Sequence, residues 1–266
     1  MLNTHGSLLG YKKYLSSPLQ RLPYRIYDFA TLKSSALRAQ AVVVSSKLEY
    51  SDAIEFGIDR NKIHIIPMGI DGIEKIDEAG KADSGELQLL FVGRIARVRR
   101  VELILRAVKK LSIPWKLTVV GGEAETASVA RSGYLDELKE LCRTLNITDK
   151  VCFIGFKTPG ELKDFYNAAD VFVYSSKYEN FSQPLLEAGA AGLPIVSTNV
   201  GIASEIAEDG GAVLSKGDAE EIADCIKSLQ DPELRLKMGI AAQKSIQKRF
   251  DWKVIMQNYL DLYRSL

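Results

Sequence analysis

At 266 residues, with 46% hydrophobic and 26% charged content, the chain has ordinary globular composition and is long enough for one large or two small domains. Its formal charge of +1 excludes a general electrostatic pull toward nucleic acid or an acidic membrane, so any anion site must be local. No apolar run approaches the roughly 18 residues needed to span a bilayer, the N-terminus lacks a signal peptide's apolar core, and Cys142, Cys152 and Cys225, without a C-x-x-C spacing, fit buried thiols in a reducing cytosol.

The chain opens with His5-Gly6 and a basic, aromatic stretch (Tyr11, Lys12, Lys13, Tyr14, Arg21, Tyr24, Arg25, Tyr27) expected to become helical after Pro23. Cations interleaved with tyrosines also suit an interfacial helix, so weak contact with a membrane surface is one expectation. Ala41-Val-Val-Val-Ser-Ser reads as a buried strand whose serines cap a helix over 47–56, stopped by Gly57. A strand at 63–66, in which His64 alternates with isoleucines and is structural, leads into a polar, glycine-containing run to Gly85 that reads as an interdomain linker.

From Leu87 to about residue 229 the pattern is a repeat of strand, glycine turn and helix, which implies an α/β fold with a parallel sheet. Strands are predicted at 87–92, 116–120, 151–154, 171–174 and 195–198, with a short edge strand at 212–214. Helices are predicted at 101–108, 133–145 and 218–229, and a last amphipathic one runs from Phe250-Asp-Trp to Tyr263. Arg94, Arg97, Arg99 and Arg100 fall in the loop after the first of these strands, where α/β sheets bind ligands. Four cations at the helix end that disfavours them need a counter-anion, which a bound diphosphate would supply; a solvated basic helix start is the plain alternative.

The most informative stretch is Tyr178 to Thr198, the helical crossover of a βαβ unit. Pro184 fits the first helical position, and Gly192 followed by Pro194 marks the end. The amides of Leu185 and Leu186 are then expected to be unpaired and, with the helix dipole, to form a phosphate site. Glu179 and Glu187 frame that site, with seven residues between them. A helical side chain leans toward the N-terminus, so Glu187 is placed for the two hydroxyls of a ribose, while Glu179 is placed for hydroxyls on the other side of the phosphates.

These residues resemble the E-x7-E signature of the retaining GT-B glycosyltransferases of the family-4 type, whose donor is a nucleotide sugar. The resemblance runs through Ala191–Thr198 and Gly201–Gly210, back through Val151–Phe156 and to Phe91–Ile95, and covers nearly everything from Ala41 to Tyr263. It implies a GT-B fold with one complete Rossmann-like domain and a partial second one. The expected division is a partial N-terminal, acceptor-side domain over 1–68, a linker over 69–85, a C-terminal nucleotide-sugar-binding domain over 86–248 and, over 249–266, a C-terminal helix packing back on the first domain. It further implies that Glu187 holds the ribose and Glu179 the donor sugar. The backbone around Ser182, Gln183 and Leu185 would hold the distal phosphate, and Arg94 and Arg99 would grip the diphosphate. Arg99 stands where Lys is usual, and Arg100 where Gly is common. His5 matches a His-Gly loop that faces the donor sugar across the cleft. Phe156 matches a position beside the nucleobase, with core packing as the alternative. The donor set is completed by Gly93, Gly121, Asn180 and Phe181, and the catalytic set is Arg94, Arg99, Glu179 and His5. The usual Gly-Phe-Gly after the first Glu is here Asn180-Phe181-Ser182, and Ser182 is the less permissive change.

No G-x-G-x-x-G, Walker-type G-x-x-x-x-G-K-[ST] or D-x-D is present. Charge on a leaving diphosphate is therefore expected to be met by Arg94, Arg99 and the helix N-terminus, with no metal or other cofactor. The expected activity is transfer of a hexose from a UDP- or GDP-sugar to a glycan, lipid-linked or small-molecule hydroxyl acceptor, with retention, in the cytoplasm or at the inner face of the membrane. A non-catalytic nucleotide-sugar-binding fragment or subunit is the alternative, and a GT-B-type epimerase a third reading. Because the chain enters the first domain only at His5, binding is expected to outlast catalysis. The incomplete layer is expected to form a homodimer or recruit a partner chain that supplies the missing N-terminal part.

Overall fold

The computed structural model describes residues 1–3, 9, 15, 17–70, 85–123 and 133–266; His5 and residues 71–84 of the expected linker lie outside them. Two parallel sheets carry the α/β architecture. The larger is built on β4 (Leu87–Val92), β7 (Val171–Tyr174) and β8 (Ile195–Thr198), which are almost wholly buried, as parallel strands covered on both faces must be. With β5 (Trp115–Val120), β6 (Val151–Gly155) and β9 (Ala212–Ser215) its order is β6-β5-β4-β7-β8-β9. The smaller sheet pairs β1 (Leu2–Asn3), β2 (Val42–Val44) and β3 (Ile63–Ile65) in that order, with Leu2 opposite Val42 and Val43 opposite His64.

Helix α1 (Pro18–Tyr27) passes through one π-helical turn, Asp28–Leu32, into α2 (Lys33–Arg38). It starts before Pro23, not after it, because Pro18 takes the first turn, where a missing N–H costs nothing. Pro23 inside the helix removes one backbone bond, and α1 buries no residue in exchange. Helix α3 (Lys47–Phe56) is capped by Ser46, whose side chain accepts from the Glu49 amide, and stopped by Gly57 in the left-handed region at φ 102°.

On the larger sheet, α4 (Val101–Val108) packs beside α9 (Ala219–Ser228); α5 (Tyr134–Thr144) and α6 (Pro159–Ala168) follow β5 and β6, and α7 (Gln183–Ala190) and α8 (Ala203–Glu208) follow β7 and β8. Helix α10 (Pro232–Phe250) packs against α7 and α8, and the sequence reading passes over it altogether. Its buried face is a narrow line, Met238, Ala242, Ile246 and Phe250, interleaved with buried Gly239 and Ser245, so its apolar periodicity is weak. Of the three thiols, Cys142 and Cys225 are buried, whereas Cys152 on the edge strand β6 is exposed, against the expectation that all three are core.

Helix α11 (Trp252–Ser265) lays Ile255 and Leu262 against Ala41, Val43 and Ile66 of the smaller sheet layer. Tyr259 on the same helix accepts a hydrogen bond from Asn3 Nδ2 at 3.0 Å. Ile255→Ala should cost about 2–5 kcal/mol in urea unfolding and speed amide exchange at Val42–Val44. Unchanged exchange there would mean that α11 does not hold the smaller sheet.

Candidate active site

The order of the larger sheet reverses between β4 and β7, and the crevice at their carboxyl ends is where a ligand is expected. Two loops meet there, residues 93–100 after β4 and residues 175–182 after β7. Ser175 Oγ donates to the carbonyls of Arg99 and Arg100 at 2.8 and 2.9 Å, and the Lys177 amide donates to Val98 at 2.8 Å. The close approach extends to β5: a side chain on Gly121, at φ 140°, would strike the Gly93 carbonyl.

The four arginines of the first loop do not share one counter-anion, as the sequence reading supposes. Arg97 Nη2 pairs with Glu137 at 2.5 Å and its guanidinium lies 5.1 Å from the centre of the Tyr134 ring. Arg100 holds the left-handed conformation at φ 50°, which explains why Gly is common at this place, and it donates through Nε to Ser175 O at 2.9 Å and through Nη2 to Ser176 O at 3.2 Å. Arg99 forms an ion pair with Glu179, the two side chains being 11% and 14% exposed. Arg94 is exposed. Burial, with Arg94 adding to it and Tyr174 opposing, lowers the pKa of Arg99 from its ordinary value.

Each glutamate has a tyrosine partner that the sequence reading misses. Tyr174, the last residue of β7, donates to Glu179 Oε1 at 2.7 Å, and Tyr166 of α6 donates to Glu187 Oε2 at 2.8 Å. Burial first, and for Tyr166 the Glu187 carboxylate second, raise both phenols above their ordinary range, so both remain hydroxyl donors at neutral pH. Both sit in apolar patterns, and only their polar tips beside the two glutamates could have drawn attention to them.

The loop 179–182 is held by its backbone. Gly201 N donates to Glu179 O at 3.2 Å, Ser46 Oγ to Asn180 O at 2.5 Å, and Ile202 N to Phe181 O at 3.0 Å. Tyr178 donates its hydroxyl to the Asn180 side chain. The Phe181 side chain is buried edge-on against Phe250, 5.8 Å between ring centres, so only its backbone borders the crevice.

At the helix start the expectation needs correction. Gln183, not Pro184, is the first helical residue, and the amides of Leu185 and Leu186 are not unpaired: both donate to Ser182 O, at 3.2 and 3.3 Å. Ser182, at φ 74°, turns its carbonyl over the first turn. Leu185 is fully buried. Among the described residues, Arg99 Nε, Ser182 Oγ and Gln183 Oε1 are buried without a hydrogen-bond partner. Phe156 is 79% exposed, which removes core packing as its role. Among the described residues there is no cluster of His, Cys, Asp and Glu able to hold a metal ion, and no helix is long and apolar enough to cross a membrane. Ser182→Gly should relieve about 1 kcal/mol of backbone strain and raise Tm by about 2–4 °C. An unchanged or lower Tm in a thermal melt would show that Ser182 is not strained.

The model of the family described as glycosyl transferases group 1 matches residues 72–245. A D-inositol 3-phosphate glycosyltransferase of Rhodococcus erythropolis is 30% identical over 223 residues, 79% of this chain and 50% of that protein. An alpha-maltose-1-phosphate synthase of Mycobacterium tuberculosis is 29% identical over 88% of this chain and 65% of its own length. The chain thus spans about half to two thirds of the curated relatives it matches. Among solved structures, sucrose-phosphate synthase from Thermosynechococcus elongatus superposes with a TM-score of 0.82 at 25% identity, covering 99% of this chain and 66% of that one. Anabaena HepE, solved in complex with UDP, gives 0.80 at 20% identity, over 99% and 71%. The fold is that of the GT-B glycosyltransferases, and the chain belongs to the glycosyl transferases group 1 family.

Proposed function

We propose that this chain carries the donor site of a retaining glycosyltransferase that takes a hexose from a UDP- or GDP-sugar and gives it to a hydroxyl acceptor. The observation that carries the reading is the pairing of two tyrosine-anchored carboxylates, Glu179 and Glu187, on either side of a helix N-terminus at the switch point of the sheet. Glu187 is assigned to the ribose, Glu179 to the sugar, and Arg94 and Arg99 to the diphosphate. Arg99 Nε, buried and without a partner among the described residues, is a donor that a phosphate oxygen would satisfy. Exposed Phe156 offers a face for the base. His5 is assigned to the acceptor side of the sugar, and the division into an acceptor-side unit over 1–68, a linker over 69–85, a donor unit over 86–248 and a bridging helix over 249–266 belongs to the same reading. HepE, of the same fold, was solved with UDP and with UDP-glucose, which supports a nucleotide-sugar donor.

Calorimetry with UDP and GDP should show Glu187→Ala weakening the bound nucleotide by about 1.5–3 kcal/mol, roughly 10–150-fold, with binding maintained in EDTA. Glu179→Ala should chiefly weaken the intact sugar nucleotide. Unchanged affinity in Glu187→Ala removes the ribose assignment, and a product of inverted configuration by NMR removes the retaining mechanism. Nucleotide-sugar binding without transfer would favour a non-catalytic subunit.

We further propose weak contact with an anionic bilayer through α1. Its apolar stripe, Leu19, Leu22 and Ile26, continued by Phe29, is exposed, and Arg21 and Arg25 flank it. The chain should co-sediment with vesicles containing phosphatidylglycerol, not with pure phosphatidylcholine, and Ile26→Asp should release it. A stable dimer that binds neither vesicle would place a second copy on this stripe instead.

A further inference from the structure

We propose that Tyr166 and Tyr174 are positioning residues that orient Glu187 and Glu179 respectively, so that the core of the sheet helps to set the aim of both carboxylates, one carried by helix α7 and the other by the loop before it. The inference rests on the assignment of the two glutamates to a nucleotide sugar.

The anchors belong to buried elements of the sheet layer. Tyr166 belongs to α6 and Tyr174 to β7, and they are 4% and 1% exposed. Their rings lie in one packed row: Tyr166 is 6.0 Å from Phe172, Phe172 is 5.9 Å from Tyr174, and Tyr174 is 5.6 Å from Phe91. A row of this kind cannot shift one member without the others, since protein interiors are close-packed. Two hydroxyls leave the row, one to each carboxylate, at 2.8 and 2.7 Å. A carboxylate has two oxygens and about four acceptor positions, so a single O–H on one oxygen restrains its rotation while leaving the other for a ligand. On Glu187 the tyrosine takes Oε2, which leaves Oε1 for the two adjacent hydroxyls of a ribose. On Glu179 both Tyr174 and Arg99 take Oε1, which leaves Oε2.

A buried tyrosine also needs a hydrogen-bond partner for its own sake, and the tyrosines could serve stability alone. Coupling separates the two roles. In the 266-residue chain, Tyr166→Phe keeps the ring in its row, so a melt close to that of the wild type is expected. Affinities are measured by calorimetry for UDP, GDP, their 2′-deoxy counterparts and UDP-glucose. Tyr166→Phe should weaken the better ribonucleotide about tenfold, leave its 2′-deoxy form within about twofold, and add nothing to Glu187→Ala in a double-mutant cycle. Tyr174→Phe should leave the bare diphosphate within about twofold, weaken UDP-glucose about tenfold if that donor binds, and be non-additive with Glu179→Ala. Additive effects, or equal weakening of ribo- and deoxyribonucleotides, would overturn the positioning role while leaving the donor site in place. Failure of the wild-type chain to bind UDP or GDP would overturn both.

Discussion

Two neighbouring parallel strands, β4 and β7, send their connections to opposite sides of the sheet, and the crevice this leaves decides where everything else stands. A ligand can enter only where no crossover covers the strand ends. The loop after β4 brings the arginines and the loop after β7 brings Glu179, and the two are stitched to one another by Ser175, Ser176 and Lys177. Neither loop can be changed without moving the other.

Charge in the crevice is arranged more locally than a list of four arginines implies. A guanidinium is costly to bury unpaired, and the chain gives Arg100 the carbonyls of Ser175 and Ser176 and Arg99 the carboxylate of Glu179, while Arg97 pairs at the surface with a carboxylate from α5. Arg99 and Glu179 therefore constrain one another before any ligand arrives. Arg99 uses one nitrogen, Nη1, both for Ser176 Oγ at 3.3 Å and for Glu179, which leaves its other N–H groups for a ligand.

Much of the larger sheet was legible because buried parallel strands announce themselves as apolar runs and their connections as glycine turns. The place of the crevice was legible because Glu179 and the arginines follow strand ends and Glu187 lies early in the helix after one of them. What escaped has a common cause, dependence on partners distant in sequence. Nothing near Arg97 announces Glu137, and nothing near Glu187 announces Tyr166, which sits on a different helix. The amides of Leu185 and Leu186 were misread because the loop shape set by Ser182, at φ 74°, turns a carbonyl back over the helix start. Helix α10 was missed because Gly239 and Ala242 permit close backbone packing in place of a broad apolar stripe. Phe156, drawn next to a strand of core residues, is exposed.

Three consecutive carbonyls, those of Glu179, Asn180 and Phe181, are each taken by a donor from another part of the chain: Gly201, Ser46 and Ile202. Ordering a loop of this length from a disordered ensemble would consume about 1–2 kcal/mol per residue. Here part of that entropy is surrendered when the chain folds, so a ligand meeting the loop loses less of its binding energy to arranging it. One of the three donors, Ser46, is the cap of α3 beside the smaller sheet, so the stiffness of the loop is a property of the two sheets together and neither could supply it alone.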